Sequence, residues 1–246
     1  MTELAIISGT GLMPLDHLQI THREGQQTPF GEPSAELIFG LYCDREIVFL
    51  TRHGDPPTIP PHRVNYRANI WALKESGVSK IISINSVGGI TATMHPGRLV
   101  FPNQIIDYTH SRAHTFFEDN PKEVTHIDFS DPYCEELRAV LVAAAKEAAL
   151  APAESATYGA TQGPRLETAG EIDRMENDGC DVVGMTGMPE AALARELGLC
   201  YAACAVVVNR AAGRSNGPIT MQAIEANLTA SLENVHLLLA HTIPLI

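Results

Sequence analysis

Five apolar runs in this chain stop on residues able to bind or polarise a ligand. The run 4–8 leads into Gly9-Thr10-Gly11, 46–50 into Thr51-Arg52-His53-Gly54, and 80–84 into Asn85-Ser86-Val87-Gly88-Gly89. Further along, 181–184 leads into Met185-Thr186-Gly187, and 201–208 into Asn209-Arg210. Between two glycines, Thr10 lets the backbone come close to a ligand while its hydroxyl donates. Arg52 adds a charged fork, and Ser86 and Thr186 add hydroxyls near further glycines. Together they describe an oxyanion site of phosphate size. The chain has no G-x-x-x-x-G-K-[ST], and GTGLMP is not a dinucleotide fingerprint, so the anion reads as free phosphate rather than a nucleotide tail. Asn209 raises a different question. An amide, with one acceptor and two donors, ends the strand-forming run AVVV, a run that reads as buried.

Residues from distant segments can meet only if the strands that carry them lie side by side. Strand patterns are expected at 4–8, 36–42, 46–51, 80–85, 98–107, 155–160, 181–185 and 201–209, and helices at 64–76, 132–149, 169–177, 189–196 and 220–240. Alternation of this kind predicts an α/β fold: one domain, 1–246, with a twisted, mixed and mostly parallel sheet flanked by helices. Carboxyl ends of parallel strands converge on one crevice, the usual ligand site of open α/β sheets. Helix ends are signalled by Asp131-Pro132 as an N-cap with proline after it, by Thr168 to Glu171 as a capping box, and by Gly179 and Gly198 as left-handed C-caps.

Composition narrows the partners. With 29 Asp+Glu against 17 Lys+Arg, the net charge of -12 disfavours nucleic acid and anionic membranes, so an anion must be held locally. The N-terminal MTELAIISGTG lacks the basic lead and length of a signal peptide or a membrane span, which points to the cytoplasm. Five cysteines, at 43, 134, 180, 200 and 204, form no paired spacing and are expected as reduced thiols. His110 and His114 lie four apart but have neither a helical period around them nor an obvious third ligand, so no metal site is expected.

The segments SGTG (8–11), TPFGEPS (28–34), TRHG (51–54), PPHRVNYRAN (60–69), NSVGG (85–89), TQGPRLET (161–168) and VVGMTGMPEAALARELGL (182–199), in this order, carry a resemblance. They resemble the trimeric purine nucleoside phosphorylase and 5'-methylthioadenosine phosphorylase family. The resemblance implies a nucleoside phosphorylase-like fold, a homotrimer, and attack of inorganic phosphate on C1' of a purine nucleoside without metal or organic cofactor. By similarity, Thr10, Arg52, His53, Asn85, Ser86 and Thr186 hold phosphate, and Met185 lies against the ribose. Leu166, Glu167, Asn209, Arg210 and Ala211 surround the base. Met221 and Ile224, at i and i+3, fall where the family lines its 5' pocket; as part of an amphipathic helix they also read as core. His126 resembles a residue that a neighbouring subunit contributes there.

Departures from the family's adenine-reading branch set the expected substrate. That branch carries Asp at the places of Asn209 and Ala211, whereas 6-oxopurine enzymes carry Asn at the first and Glu at the position of Glu167. An ionised Glu167 accepts from the N1-H of hypoxanthine, and Asn209 serves O6 and N7. Combined with an apolar 5' pocket, this points to 5'-methylthioinosine. A general inosine/guanosine phosphorylase and a methylthioadenosine phosphorylase are the alternatives. A nucleosidase, with water in place of phosphate, and a non-catalytic purine binder are the readings from other classes.

Overall fold

A computed structural model of the protein describes residues 2–9, 18–118 and 124–246. Its strands, in chain order, are β1 (Leu4–Ser8), β2 (Gln19–Glu24), β3 (Leu37–Tyr42), β4 (Arg45–Thr51), β5 (Lys80–Gly89), β6 (Leu99–Val100), β7 (Gln104–Asp107), β8 (Thr157–Ala160), β9 (Val182–Gly184) and β10 (Cys200–Arg210). All ten belong to one mixed sheet. The α-helices are α1 (Tyr66–Glu75), α2 (Glu135–Glu147), α3 (Ala169–Asn177), α4 (Gly187–Glu196) and α5 (Met221–Thr242).

The centre of the sheet is parallel. β4, β1 and β5 run side by side, from Leu4 opposite Ile47 and Lys80, and β10 follows β5 from Cys200↔Lys80 to Arg210↔Gly89. These strands are apolar almost without interruption because both faces are covered. Ala5, Ile7, Val48, Leu50, Ala203 and Ala205 share one core with residues of α1 and α4. Their alternate neighbours Leu4, Ile6, Ile47, Phe49, Ala202 and Cys204 share a second core with α2 and α5. A wing of β9, β8 and β7 attaches where β9 pairs antiparallel with Gly88 and Gly89. A Cβ on Gly89 would lie 1.8 Å from the Met94 carbonyl oxygen, so only glycine lets the chain pass there.

Most expected elements are present, with corrections that have physical reasons. β5 continues four residues beyond 85, because Ser86 to Gly89 stay paired with β10. The run 98–107 is interrupted at Phe101-Pro102-Asn103, where proline has no N–H to give to a ladder. β2, QITHRE, was not expected: it is exposed along its whole length at the sheet edge and shows no apolar alternation. α2 starts at Glu135 with Cys134 as its N-cap, not at Asp131-Pro132. The Thr168–Glu171 capping box forms, and Gly179 and Gly198 take positive φ as expected.

The cysteine expectation needs correction too. Cys134 and Cys200 are bonded, 66 residues apart, joining the start of α2 to the start of β10. Neighbouring backbone pairing brings them together, Cys134 N donating to Tyr201 O at 2.8 Å, and no local spacing announces it. Cys43, Cys180 and Cys204 are free thiols. Among the described residues, no helix is long and apolar enough to cross a membrane. Among the described residues, no three His, Cys, Asp or Glu side chains gather as metal ligands do.

Candidate active site

A cavity of about 440 Å³ opens at the carboxyl ends of the central strands. It takes Gly9 from the end of β1, Arg52 and His53 from the end of β4, Ser86 to Gly88 from β5, Val183 to Thr186 from β9 and its turn, and Val208 and Asn209 from β10. Register shifts between Val207 and Asn209, a bulge that lets two successive residues of β10 face the same space. Loop 164–167 and the N-terminal turns of α5 close the other sides.

One end rests on a buried polar network. Arg52, 1 % exposed, gives Nε to Glu190 Oε2 at 2.6 Å and Nη2 to Glu190 Oε1 at 2.9 Å. Its Nη2 also donates to Ser83 Oγ at 2.6 Å, and its Nη1 to the Ile84 carbonyl at 3.2 Å. One Nη1 proton is therefore left without a partner among the described residues, and that nitrogen lies 3.6 Å from where a Cβ on Gly9 would stand. Burial alone would lower the Arg52 pKa, but the charge and hydrogen bonds of Glu190 override it and raise it, so the guanidinium stays charged. Glu190 also accepts from Ser83 (2.7 Å) and Tyr201 (2.8 Å). Asn85 donates to Thr186 Oγ1 at 2.9 Å from a fully buried position. Asn85 thus stands behind the wall and aims Thr186, rather than lining the cavity as expected.

His53 is held differently. Its Nδ1 donates to the Ile59 carbonyl at 2.8 Å, which turns Nε2 outward. Burial, reinforced by the charge of Arg52, lowers its pKa. A neutral His53 therefore presents a lone pair at Nε2.

Glu167 and Asn209 line the same cavity, together with Leu166, Met185 and Ala211. Thr161 Oγ1 donates to Glu167 Oε1 at 2.6 Å. Asn209 Nδ2 donates to the Arg210 carbonyl at 2.7 Å, leaving its second N–H and its oxygen for a ligand. Arg210 itself turns away: its guanidinium caps the carbonyls of Thr91, Ala92 and Met94, so it does not join the cavity. That is a correction, and the carbonyls exposed by the 91–94 turn are its reason.

The far end is apolar and open. Ile219, Met221, Ile224 and Leu228 line it, and Pro57 to Pro61, bonded to His53 through Thr58 and Ile59, also line the cavity. Met221 is 62 % exposed, so it is not a core residue, whereas Ile224 lines the cavity and also packs on the α2/α5 core. His126 is exposed and outside the cavity of its own chain, and Thr10 lies outside the described residues.

Three contributors were missed in the sequence. Glu190 sits in PEAALARE, where a carboxylate directly before two alanines and a leucine on a core helix is the available signal. Thr161 shows none beyond being polar at a strand end. Arg112 is 9 % exposed and, among the described residues, has no carboxylate partner. Its protons go to carbonyls of Thr161 (3.1 Å), Gln162 (2.8 Å), Met185 (2.9 Å) and Met188 (2.6 Å), tying the Glu167 loop to the Thr186 loop.

Comparison with known proteins agrees with this geometry. A Pseudomonas syringae pv. tomato protein named "Probable S-methyl-5'-thioinosine phosphorylase" is 54 % identical over 243 residues, covering 99 % of both chains. The 6-oxopurine nucleoside phosphorylase of Pyrococcus furiosus is 44 % identical over 251 residues, covering 100 % of this chain and 94 % of its own. Among solved structures, methylthioadenosine phosphorylase from Schistosoma mansoni in complex with adenine matches with a TM-score of 0.94 at 32 % identity, over 100 % of this chain and 92 % of that one. With residues 3–244 also matched by the family model described as "Phosphorylase superfamily", this chain belongs to the phosphorylase superfamily.

Proposed function

We propose that the protein cleaves 5'-methylthioinosine with inorganic phosphate, giving hypoxanthine and 5-methylthioribose 1-phosphate. The observation that carries this reading is a single cavity lined by Glu167 and Asn209, by the donors of Arg52, Ser86 and Thr186, and by an apolar wall of Ile219, Met221, Ile224 and Leu228. Phosphate would sit against Thr10, Arg52, His53, Ser86 and Thr186, the last aimed by Asn85. Attack at C1' passes through an oxocarbenium-like sugar between two groups carrying negative charge, so the protein supplies alignment and fixed dipoles rather than a nucleophile. Glu167 accepts from N1-H of the departing lactam, and the free N–H of Asn209 stabilises charge gathering on N7 and O6. Adenine puts a bare N1 against the carboxylate, and mispairing of that kind discriminates by about 10⁴-fold or more.

Names carried by relatives support the choice of base, since both the methylthioinosine and the 6-oxopurine enzymes act on oxo-substituted purines. A second reading, a general 6-oxopurine nucleoside phosphorylase, is favoured by Glu225, which lines the cavity next to Ile224 and could accept from a 5'-hydroxyl. The protein would work in the cytoplasm as one 1–246 domain in a homotrimer, with His126 reaching a neighbouring copy's pocket and with no metal or cofactor. The Cys134–Cys200 bond is the feature that favours an oxidising compartment instead.

The test is base release from methylthioinosine, methylthioadenosine and inosine, each with and without phosphate. Phosphate-dependent hypoxanthine release, fastest from methylthioinosine, is expected. Release without phosphate indicates a nucleosidase, and saturable binding without release indicates a binder. Asn209→Asp should shift kcat/KM toward adenine nucleosides, and unchanged relative rates would refute its role.

A further inference from the structure

Glu167 belongs to the loop between β8 and α3, and a carboxylate on a loop can turn either oxygen toward a ligand. Here the choice is made by Thr161, the residue that follows β8. Its backbone N donates to Gly184 O at 2.8 Å and its carbonyl receives Arg112 Nη2 at 3.1 Å, so its hydroxyl starts from a fixed point. That hydroxyl lies 2.6 Å from Glu167 Oε1 and 3.3 Å from Gly184 O. A hydroxyl has one proton to give, and the nearer, charged acceptor takes it. Oε1 is thereby occupied, while Oε2 receives no hydrogen bond from the described residues.

We propose that Thr161 is a specificity-determining positioning residue, fixing the Glu167 carboxylate so that one bare oxygen meets the base and a purine with N1-H is chosen over an aminopurine. The proposal rests on the 6-oxopurine reading above. Without the hydroxyl, a carboxyl group free to turn can present a lone pair or, protonated, an O–H. The second option would suit the bare N1 of adenine, so losing Thr161 should relax selection and not merely slow the reaction.

Thr161→Val keeps the shape and removes the proton; Thr161→Ser keeps the proton. Expected for Thr161→Val is a fall of about 10- to 100-fold in kcat/KM for methylthioinosine, the worth of a hydrogen bond to a charged group, with methylthioadenosine unchanged or improved. The phosphate KM should stay put, and Thr161→Ser should restore the wild-type ratio of the two nucleosides. If valine disturbs the fold, Thr161→Ala gives the same readout. A merely structural role lowers both nucleosides together and moves the phosphate KM. That outcome, an unchanged ratio, or a serine variant that behaves like valine overturns the proposal. Absence of any preference for methylthioinosine over methylthioadenosine in the wild-type enzyme would instead sink the 6-oxopurine reading, before a variant is made.

Discussion

The two ends of the cavity are built on opposite principles. At one end, Arg52, Asn85, Thr186 and Glu190 are 0–7 % exposed and bonded to one another beneath the strand ends. At the other, Met221 is 62 % exposed and its neighbours offer mostly methyl and methylene groups. The first end has its dipoles fixed before any ligand arrives, which is how a site stabilises developing charge without reorganising. The second discriminates through buried area, about 25 cal/mol per Å², and so grades ligands instead of excluding them. A change at the buried end should therefore be severe and confined to phosphate; a change at the open end should be mild and confined to the 5' group.

Glu190→Gln tests the first half most severely. It removes the charge opposing Arg52 at nearly the same volume, leaving a guanidinium buried without a counter-charge, a loss of about 3–5 kcal/mol. For a chain of this size that is a fall of about 10 °C in Tm. The surviving folded enzyme should show a phosphate KM raised far more than the nucleoside KM, because Glu190 no longer holds Arg52 in place at the buried end. Replacing both partners, Arg52→Met with Glu190→Leu, should recover part of the stability and none of the phosphate affinity. If nucleoside and phosphate constants move together in Glu190→Gln, the two ends are not separately built.

Met221→Ser should be gentler. Trading the thioether for a hydroxyl on a half-open wall removes about 1–2 kcal/mol of apolar contact with a 5'-methylthio group, roughly a 5- to 30-fold loss in kcat/KM. Inosine should lose little, so the preference between the two nucleosides narrows. The measurement is the ratio of their kcat/KM values with phosphate saturating. Equal losses for both would mean that Met221 shapes the fold of α5 and not the pocket.

This contrast also explains what could be read in the sequence. Strand runs such as LAIIS and KIISIN announce themselves because burial on both faces demands continuous apolar residues, and the polar residues that end them lie together once the strands are parallel. Eleven of the fifteen residues chosen for the site line the cavity: Arg52, His53, Ser86, Leu166, Glu167, Met185, Thr186, Asn209, Ala211, Met221 and Ile224. The layer behind them was not legible. Glu190 meets Arg52 138 residues away, Arg112 serves carbonyls 49 to 76 residues away, and Thr161 reaches Glu167 six residues on across an irregular loop, so no regular period encodes these pairings. Arg210 was misjudged for the same reason, since only the fold places the 91–94 carbonyls beside it. β2 escaped because an exposed edge strand needs no apolar face.

The smallest effect expected is at His53, and it asks whether the buried end carries net charge at all. Arg52 is neutralised by Glu190, so a charged His53 would be the local positive excess. Burial and the nearby Arg52 charge hold its pKa below the ordinary value of about 6.5 in the folded protein. Between about 6.5 and that lower folded value, the unfolded chain binds a proton that the folded chain refuses, so stability falls as pH falls through this window and is untouched above it. The wild-type Tm should therefore drop more between about pH 7.5 and 5.5 than that of His53→Gln, which has no proton to gain. In the neutral state Nδ1–H stays on Ile59, and the outward Nε2 can only accept, matching a phosphate that still carries a P–OH. An equal Tm drop in both proteins would mean that the folded protein takes up the His53 proton as readily as the unfolded chain, and the lowered pKa at the buried end would be refuted.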